Sequence, residues 1–302
     1  KQRWLGVLFA VVMILTYMVG FNLVASFNIA DSLKAYSFYD PTLTPWIVGI
    51  VLAVVFLVCI SGGGKQIANI TAVLVPVMGV LYLAVTLFVV FTHISLIPAV
   101  FASIFRNAFN FQAIFGGFVG SALMQGIKRG LFSNEAGIGA AACAAGSAGV
   151  SHPAKQGLVQ VLSVFIDTIV VCTATAMLLL CSGVDPTAEA AGMPFVQQAM
   201  AGTLGQFGVI FITVALFLFA FTTLLGNLFY CEGCLNYIAG HTLGKAPMNL
   251  FRVIACLVVF MGAQMKFGLV WDLADVLMGV MALINLPVIV ILARPALEAL
   301  KD

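Results

Sequence analysis

Charged side chains make up only 8% of this 302-residue chain, against 63% apolar residues. A water-soluble domain carries about 25% charged residues, so composition alone excludes a soluble globular fold. The formal net charge of +2 is small, and it asks for no nucleic acid or acidic partner. Histidine is nearly absent, with His93, His152 and His241 all placed in loops by the apolar pattern around them. No HExxH, paired His/Asp cluster or GxSxG elbow occurs, which argues against a membrane-embedded enzyme and against a cofactor. The seven cysteines lie in or beside apolar stretches, so no disulfide framework is expected. Cys231-Glu232-Gly233-Cys234 has the spacing of a metal or redox pair, but no second pair completes four ligands, and packing at a helix end accounts for it.

What the chain has in abundance is apolar runs of membrane-crossing length. A hydrocarbon slab of about 30 Å takes roughly 20 helical residues per crossing. Spans are predicted near 4–28, 44–61, 67–92, 111–127, 157–181, 195–229, 248–265 and 268–293, making one all-α polytopic transmembrane domain over 1–302. If the first end is cytoplasmic, ten of the thirteen bases fall inside: Lys1, Arg3, Lys65, Lys128, Arg129, Lys155, Lys245, Arg252, Arg294 and Lys301. Lys34, Arg106 and Lys266 fall outside, a positive-inside bias that puts both ends in the cytoplasm. Trp4, Trp46, Tyr82 and Trp271 near span ends suggest an aromatic belt. The chain opens on Lys1 without a signal peptide ahead of its first full-length span, and it reads as an internal piece of a longer protein.

Three places depart from plain apolar helix. Within 111–127, the stretch Phe115 to Gly126 holds Gly116, Gly117, Gly120 and Gly126 with an interior Gln125. Close packing through small residues is one reading; a discontinuous helix lining a site is the other, and Gln125, a polar side chain at depth, favours it. In Lys128 to Gly149, Ser133 can cap a helix that Asn134 and Glu135 begin, with Glu135 at the positive end of its dipole. That helix is either an ordinary interfacial one or a gate whose Glu135 pairs with Lys128 or Arg129 in one state and releases in another. The third departure is the adjacent pair Thr222 and Thr223. Threonines in membrane helices usually bond back one turn, but two hydroxyls about 100° apart can share a hard cation with freed carbonyls.

Acidic residues at depth need a partner or a cavity. Asp167, ten residues into the fifth span, is expected in a structural or gating pair rather than on substrate. Asp272 and Asp275 stand at the outer start of the last span, where helix N-terminus stabilisation suffices.

Around Gly130-Leu131-Phe132-Ser133-Asn134-Glu135-Ala136-Gly137-Ile138-Gly139 the chain resembles the alanine or glycine:cation symporter family, the sodium:alanine symporters. Phe115-Gly116-Gly117-Phe118, His152 to Gly157, Phe165-Ile166-Asp167-Thr168 and Val270 to Asp275 look like that family in the same order, so the likeness spans the whole chain. The resemblance implies a LeuT-type inverted-repeat fold, with the eight spans as core helices three to ten and 111–127 as a broken sixth helix. What that family places before Lys1, including its first core helix, is not in these residues.

The implied activity is sodium-coupled symport of a small neutral amino acid, alanine or glycine, across a bacterial or archaeal cytoplasmic membrane. Sodium would sit at Thr222 and Thr223 as a co-transported ion. The substrate would meet Gly117, Gly120 and Ser121, with Met124 and Gln125 bounding a small pocket. Asp167, Glu135, Lys128 and Arg129 would serve as gates. A proton-driven carrier using Asp167 or Glu135 is the closer alternative; a channel or structural membrane subunit is further off. Oligomeric state leaves no trace, because apolar faces toward lipid and toward a partner look alike.

Overall fold

The computed structural model describes residues 3–108, 118–135, 137–184 and 191–301, with backbone alone at 107–108 and 118–123. All regular structure among them is helical, as lipid requires: a bilayer core offers backbone groups no partners, and a helix satisfies its own. The helices are α1 (Arg3–Ala35), α2 (Leu43–Ile60), α3 (Gly63–Thr92), α4 (Ile97–Ala108), α5 (Phe118–Asn134), α6 (Ala140–Gly146), α7 (Pro153–Cys181), α8 (Met193–Ala239), α9 (Lys245–Gly262) and α10 (Phe267–Ala299). Among the described residues, seven of them are long and apolar enough to cross a membrane: α1, α2, α3, α7, α8, α9 and α10.

Those seven coincide with seven of the eight expected spans. The other, 111–127, begins in residues outside the described set, and its remainder belongs to α5, which runs on through Lys128 and Arg129 to Asn134. The expected span 195–229 also differs. α8 breaks at Gly205 (φ 62°), and Gln197 Nε2 reaches Thr213 Oγ1 at 2.9 Å. In a straight helix those residues would lie about 24 Å apart, so the chain doubles back and only the leg after Gly205 makes the long crossing. Gln197 also donates to Ser32 O at 2.7 Å, fastening the bend to the end of α1.

Burial separates inner from outer helices. Within the most apolar window, α1 is 61% buried and α8 50%, whereas α2, α3, α7, α9 and α10 lie between 17% and 28%. The central pair carries the polar contacts that lipid would forbid. Asn227 Nδ2 donates to Asn22 Oδ1 at 2.9 Å in full burial, and Ser26 Oγ donates to Val259 O of α9. At Gly262 an added Cβ would stand 2.9 Å from Leu23 Cα and O, so α1 and α9 meet backbone to backbone. One core forms around Tyr17, Phe56, Leu224, Leu228 and Met278, and a second around Tyr82, Val89, Leu178 and Met200. The outer faces stay apolar and uncovered, as at Leu283 and Val290, which is what a helix turned toward lipid presents.

Two crossings contain π-helical stretches: Leu15–Phe21 in α1 and Phe165–Val171 in α7. Such stretches leave backbone groups out of the regular ladder and are frequent at functional sites.

Candidate functional site

Both π-helical stretches turn toward the same point, the break between α5 and α6. Tyr17 comes from the first stretch and Asp167 from the second, and Glu135 lies beside both. Glu135 N–H donates to Leu131 O at 3.2 Å and closes α5, while its carbonyl accepts the N–H of Ile138 and of Gly139 at 3.1 Å. Its own φ of 53° is left-handed, a conformation rarely adopted outside glycine. Ser133, Asn134 and Glu135 therefore end a helix and do not begin one. The helix resumes only at Ala140, after Gly139 takes φ 93°. A Cβ on Gly139 would stand 2.8 Å from Asn285 Cγ and Phe9 Cζ, and Asn285 Nδ2 donates to Gly137 O at 3.0 Å, so α10 holds this break in place.

The Ser133 hydroxyl, freed of any capping role, donates to Asp167 Oδ2 at 2.9 Å and lies 3.2 Å from Cys172 Sγ. Glu135 stands between the long helices rather than in one. Burial raises its pKa to about 7, the Asp167 carboxylate adds to the rise, and the Tyr17 hydroxyl opposes it. Tyr17 Oη itself makes no hydrogen bond of normal geometry although it is buried.

A cavity of about 520 Å³ collects Glu135, Asp167, Thr222, Thr223, Asn227 and Tyr230. Thr222 Oγ1 donates to Leu218 O (3.0 Å) or Phe219 O (2.9 Å), and Thr223 Oγ1 to Phe219 O (2.9 Å). The one-turn back-bond thus holds both hydroxyl protons, which leaves the oxygen lone pairs available to a cation. Asn22 Nδ2 is buried without a partner across the Asn22–Asn227 bond.

The other expected site residues are placed as follows among the described residues. Gly117 is outside the described residues, Gly120 and Ser121 fall on the backbone of α5, and Met124 and Gln125 are exposed on it. Lys128 and Arg129 face Asp275 and not Glu135: Lys128 Nζ lies 3.3 Å from Asp275 Oδ2, and Arg129 pairs with Oδ1. The Arg129 guanidinium also lies 4.5 Å from the Trp271 ring centre and 5.6 Å from that of Phe132. Asp275 is past the first turn of α10, beyond the reach of the helix dipole, so an ion pair rather than the helix N-terminus accounts for it.

Sequence reasoning passed over Tyr17 and Tyr230 and gave Asn22 and Asn227 no role. The available signal was a polar tip in the middle of an apolar run, which must find a partner at that depth. Tyr17 begins an edge-to-face series of rings, 5.7 Å to Tyr230 and 4.7 Å to Phe21, and from Phe21 5.1 Å to Phe132. Toward the end of the bundle that carries Arg3 and Arg252 lies a second cavity of about 840 Å³, lined by Phe9, Gly139, Cys143, Cys234, Tyr237 and Asn285. Phe229 and Tyr230 line both cavities.

The family model described as the sodium:alanine symporter family matches residues 1–302. The chain is 41% identical over 300 residues to the amino-acid carrier protein AlsT of Bacillus subtilis, covering 99% of this chain and 63% of that protein. It is 39% identical over 302 residues to the probable sodium/glutamine symporter GlnT of the same organism, covering 100% and 62%. A third B. subtilis relative, the putative sodium/proton-dependent alanine carrier protein YrbD, is 38% identical over 313 residues, covering 99% and 64%. The chain thus spans somewhat under two thirds of the length of these relatives.

Proposed function

The chain belongs to the sodium:alanine symporter family, and on that premise we propose that the full-length protein carries a small neutral amino acid, alanine or glycine, across the cytoplasmic membrane with sodium. Its relatives are carriers and symporters, not enzymes, and the reading needs no chemistry beyond binding and rocking. The observation that carries it is the 520 Å³ cavity, whose wall brings the Thr222 and Thr223 hydroxyl oxygens of α8 together with the carboxyl groups of Glu135 and Asp167. Neutral oxygens beside a negative group suit a small hard cation.

On this proposal the fold is LeuT-type, the described helices belong to core helices three to ten, and both ends of the chain face the cytoplasm. Thr222 and Thr223 contribute oxygens to sodium. Gly117, Gly120 and Ser121 meet the substrate, bounded by Met124 and Gln125. Asp167 with Ser133, Glu135, and Lys128 and Arg129 with Asp275 are contacts made and broken during rocking. Coupling follows if the ternary complex changes conformation more readily than either partial complex.

The test is uptake of labelled alanine by vesicles holding the full-length protein, with potassium replacing sodium. Wild type should lose uptake without sodium, and Thr222→Ala with Thr223→Ala should need severalfold more sodium for half-maximal rate. Uptake indifferent to sodium would overturn the proposal. A proton-driven cycle is favoured by one observation, the carboxylate of Glu135 held against Asp167 with a pKa near 7. That reading gains if a pH gradient alone drives uptake and Glu135→Gln abolishes it, and fails if sodium dependence is intact in that variant.

A further inference from the structure

Three sulfur atoms from three separate helices meet at the wall of the 840 Å³ cavity. Cys143 Sγ of α6 lies 3.3 Å from Met13 Sδ of α1, and Cys234 Sγ of α8 lies 3.5 Å from the same sulfur. The two cysteines are 130 and 221 residues from Met13 in sequence, so the fold and not a local pattern builds the triangle. Met13 is fully buried and Cys234 nearly so, while Cys143 is half-buried. Cys143 and Cys234 both line the cavity, which gives an ion a way in. The Cys143 and Cys234 side chains also lie within hydrogen-bonding reach of each other.

Thiolate and thioether donors select soft ions, Cu(I) foremost, and bind hard ones such as sodium poorly. A trigonal ion with metal–sulfur bonds of about 2.3 Å needs sulfurs about 4 Å apart, so the two Met13 edges must open by about 0.5 to 0.7 Å. Zinc would want four ligands, and among the described residues no three His, Cys, Asp or Glu side chains cluster to supply them. Displacing the Cys143 proton leaves one thiolate against one monovalent cation, a neutral complex suited to a buried place. The proton leaves through the cavity.

We propose that Met13, Cys143 and Cys234 form a three-sulfur site for one soft monovalent metal ion of the Cu(I) or Ag(I) class, and that the bound ion ties α6 to α1 and α8. The site stands whether the protein moves sodium, protons or neither. It is tested on the full-length protein in detergent under reductant, titrated with Cu(I) against a chromogenic Cu(I) chelator. Wild type should hold one equivalent. Cys143→Ser and Cys234→Ser should lose it, and Met13→Leu, which preserves apolar volume, should weaken it by at least about tenfold, the scale on which even outer-sphere partners act. Cys172→Ser and Cys231→Ser should bind as wild type does. Failure of wild type to compete with the chelator, or full binding by the Cys143 and Cys234 variants, would overturn the assignment. Should those variants not fold, wild type alone decides: one equivalent of silver(I) should protect Cys143 from maleimide, and unprotected labelling refutes the site.

Discussion

Glu135 shows how one side chain's surroundings become a pH dependence. Its ordinary pKa is 4.5, and in the fold it is about 7, so the folded state holds the proton more tightly than the unfolded one. Below pH 4.5 both states are protonated and nothing is lost. Stability falls as pH rises from 4.5 to 7, and above 7 the full cost of the buried carboxylate applies, at most about 3 kcal/mol. Glu135→Gln should therefore melt higher than wild type at pH 8 and together with it at pH 4; an equal offset at both pH values would show that ionisation is not the cause. Glu135 and Asp167 were legible in sequence because a carboxylate amid apolar residues announces itself. Their partners were not, since Tyr17 lies 118 residues before Glu135 and Ser133 lies 34 before Asp167. Asn22 and Asn227, 205 residues apart, were visible as polar interruptions, but only packing reveals that each satisfies the other.

At the scale of elements, apolar run length located the seven helices that are long and apolar enough to cross a membrane, because a lipid core demands an unbroken apolar run. The same rule cannot find a bend. The run from Met193 to Ala239 is apolar on both sides of Gly205, so hydropathy passes over the reversal that Gln197 and Thr213 fasten. Helix ends are harder still. Ser133-Asn134-Glu135 has the composition of a start, yet two glycines follow and one of them turns left-handed, so the trio ends α5. Gly139→Ala should expose this. The new side chain would meet a left-handed penalty of about 1–2 kcal/mol and a clash with Asn285 and Phe9, so the melting temperature should drop by several degrees. Gly146→Ala, with open space around it, should be near neutral in the same melt.

For the molecule as a whole, the charge bias that sets orientation is partly a matter of internal pairing. Lys128 and Arg129 are counted among the inner bases, but both are engaged by Asp275. Without them eight bases still face three, and the expected orientation stands on loops such as 240–244, beside Lys245. In intact cells or sealed inverted vesicles, a protease site inserted at 240–244 should be cut only from the cytoplasmic side, and one inserted at 36–42 only from outside. The reverse pattern would turn the topology over.

Phe229 and Tyr230 belong to both cavities, and they are neighbours on α8. Successive helical side chains point about 100° apart, so one small roll of that helix carries both rings together. If the full-length protein is the symporter proposed above, a partition that moves as one piece leaves no half-open position in which ion and solute could slip past separately. How tightly the two fluxes are geared, and how much leaks when one partner is absent, would then be set by two rings on a single helix, in the wall that the two cavities share.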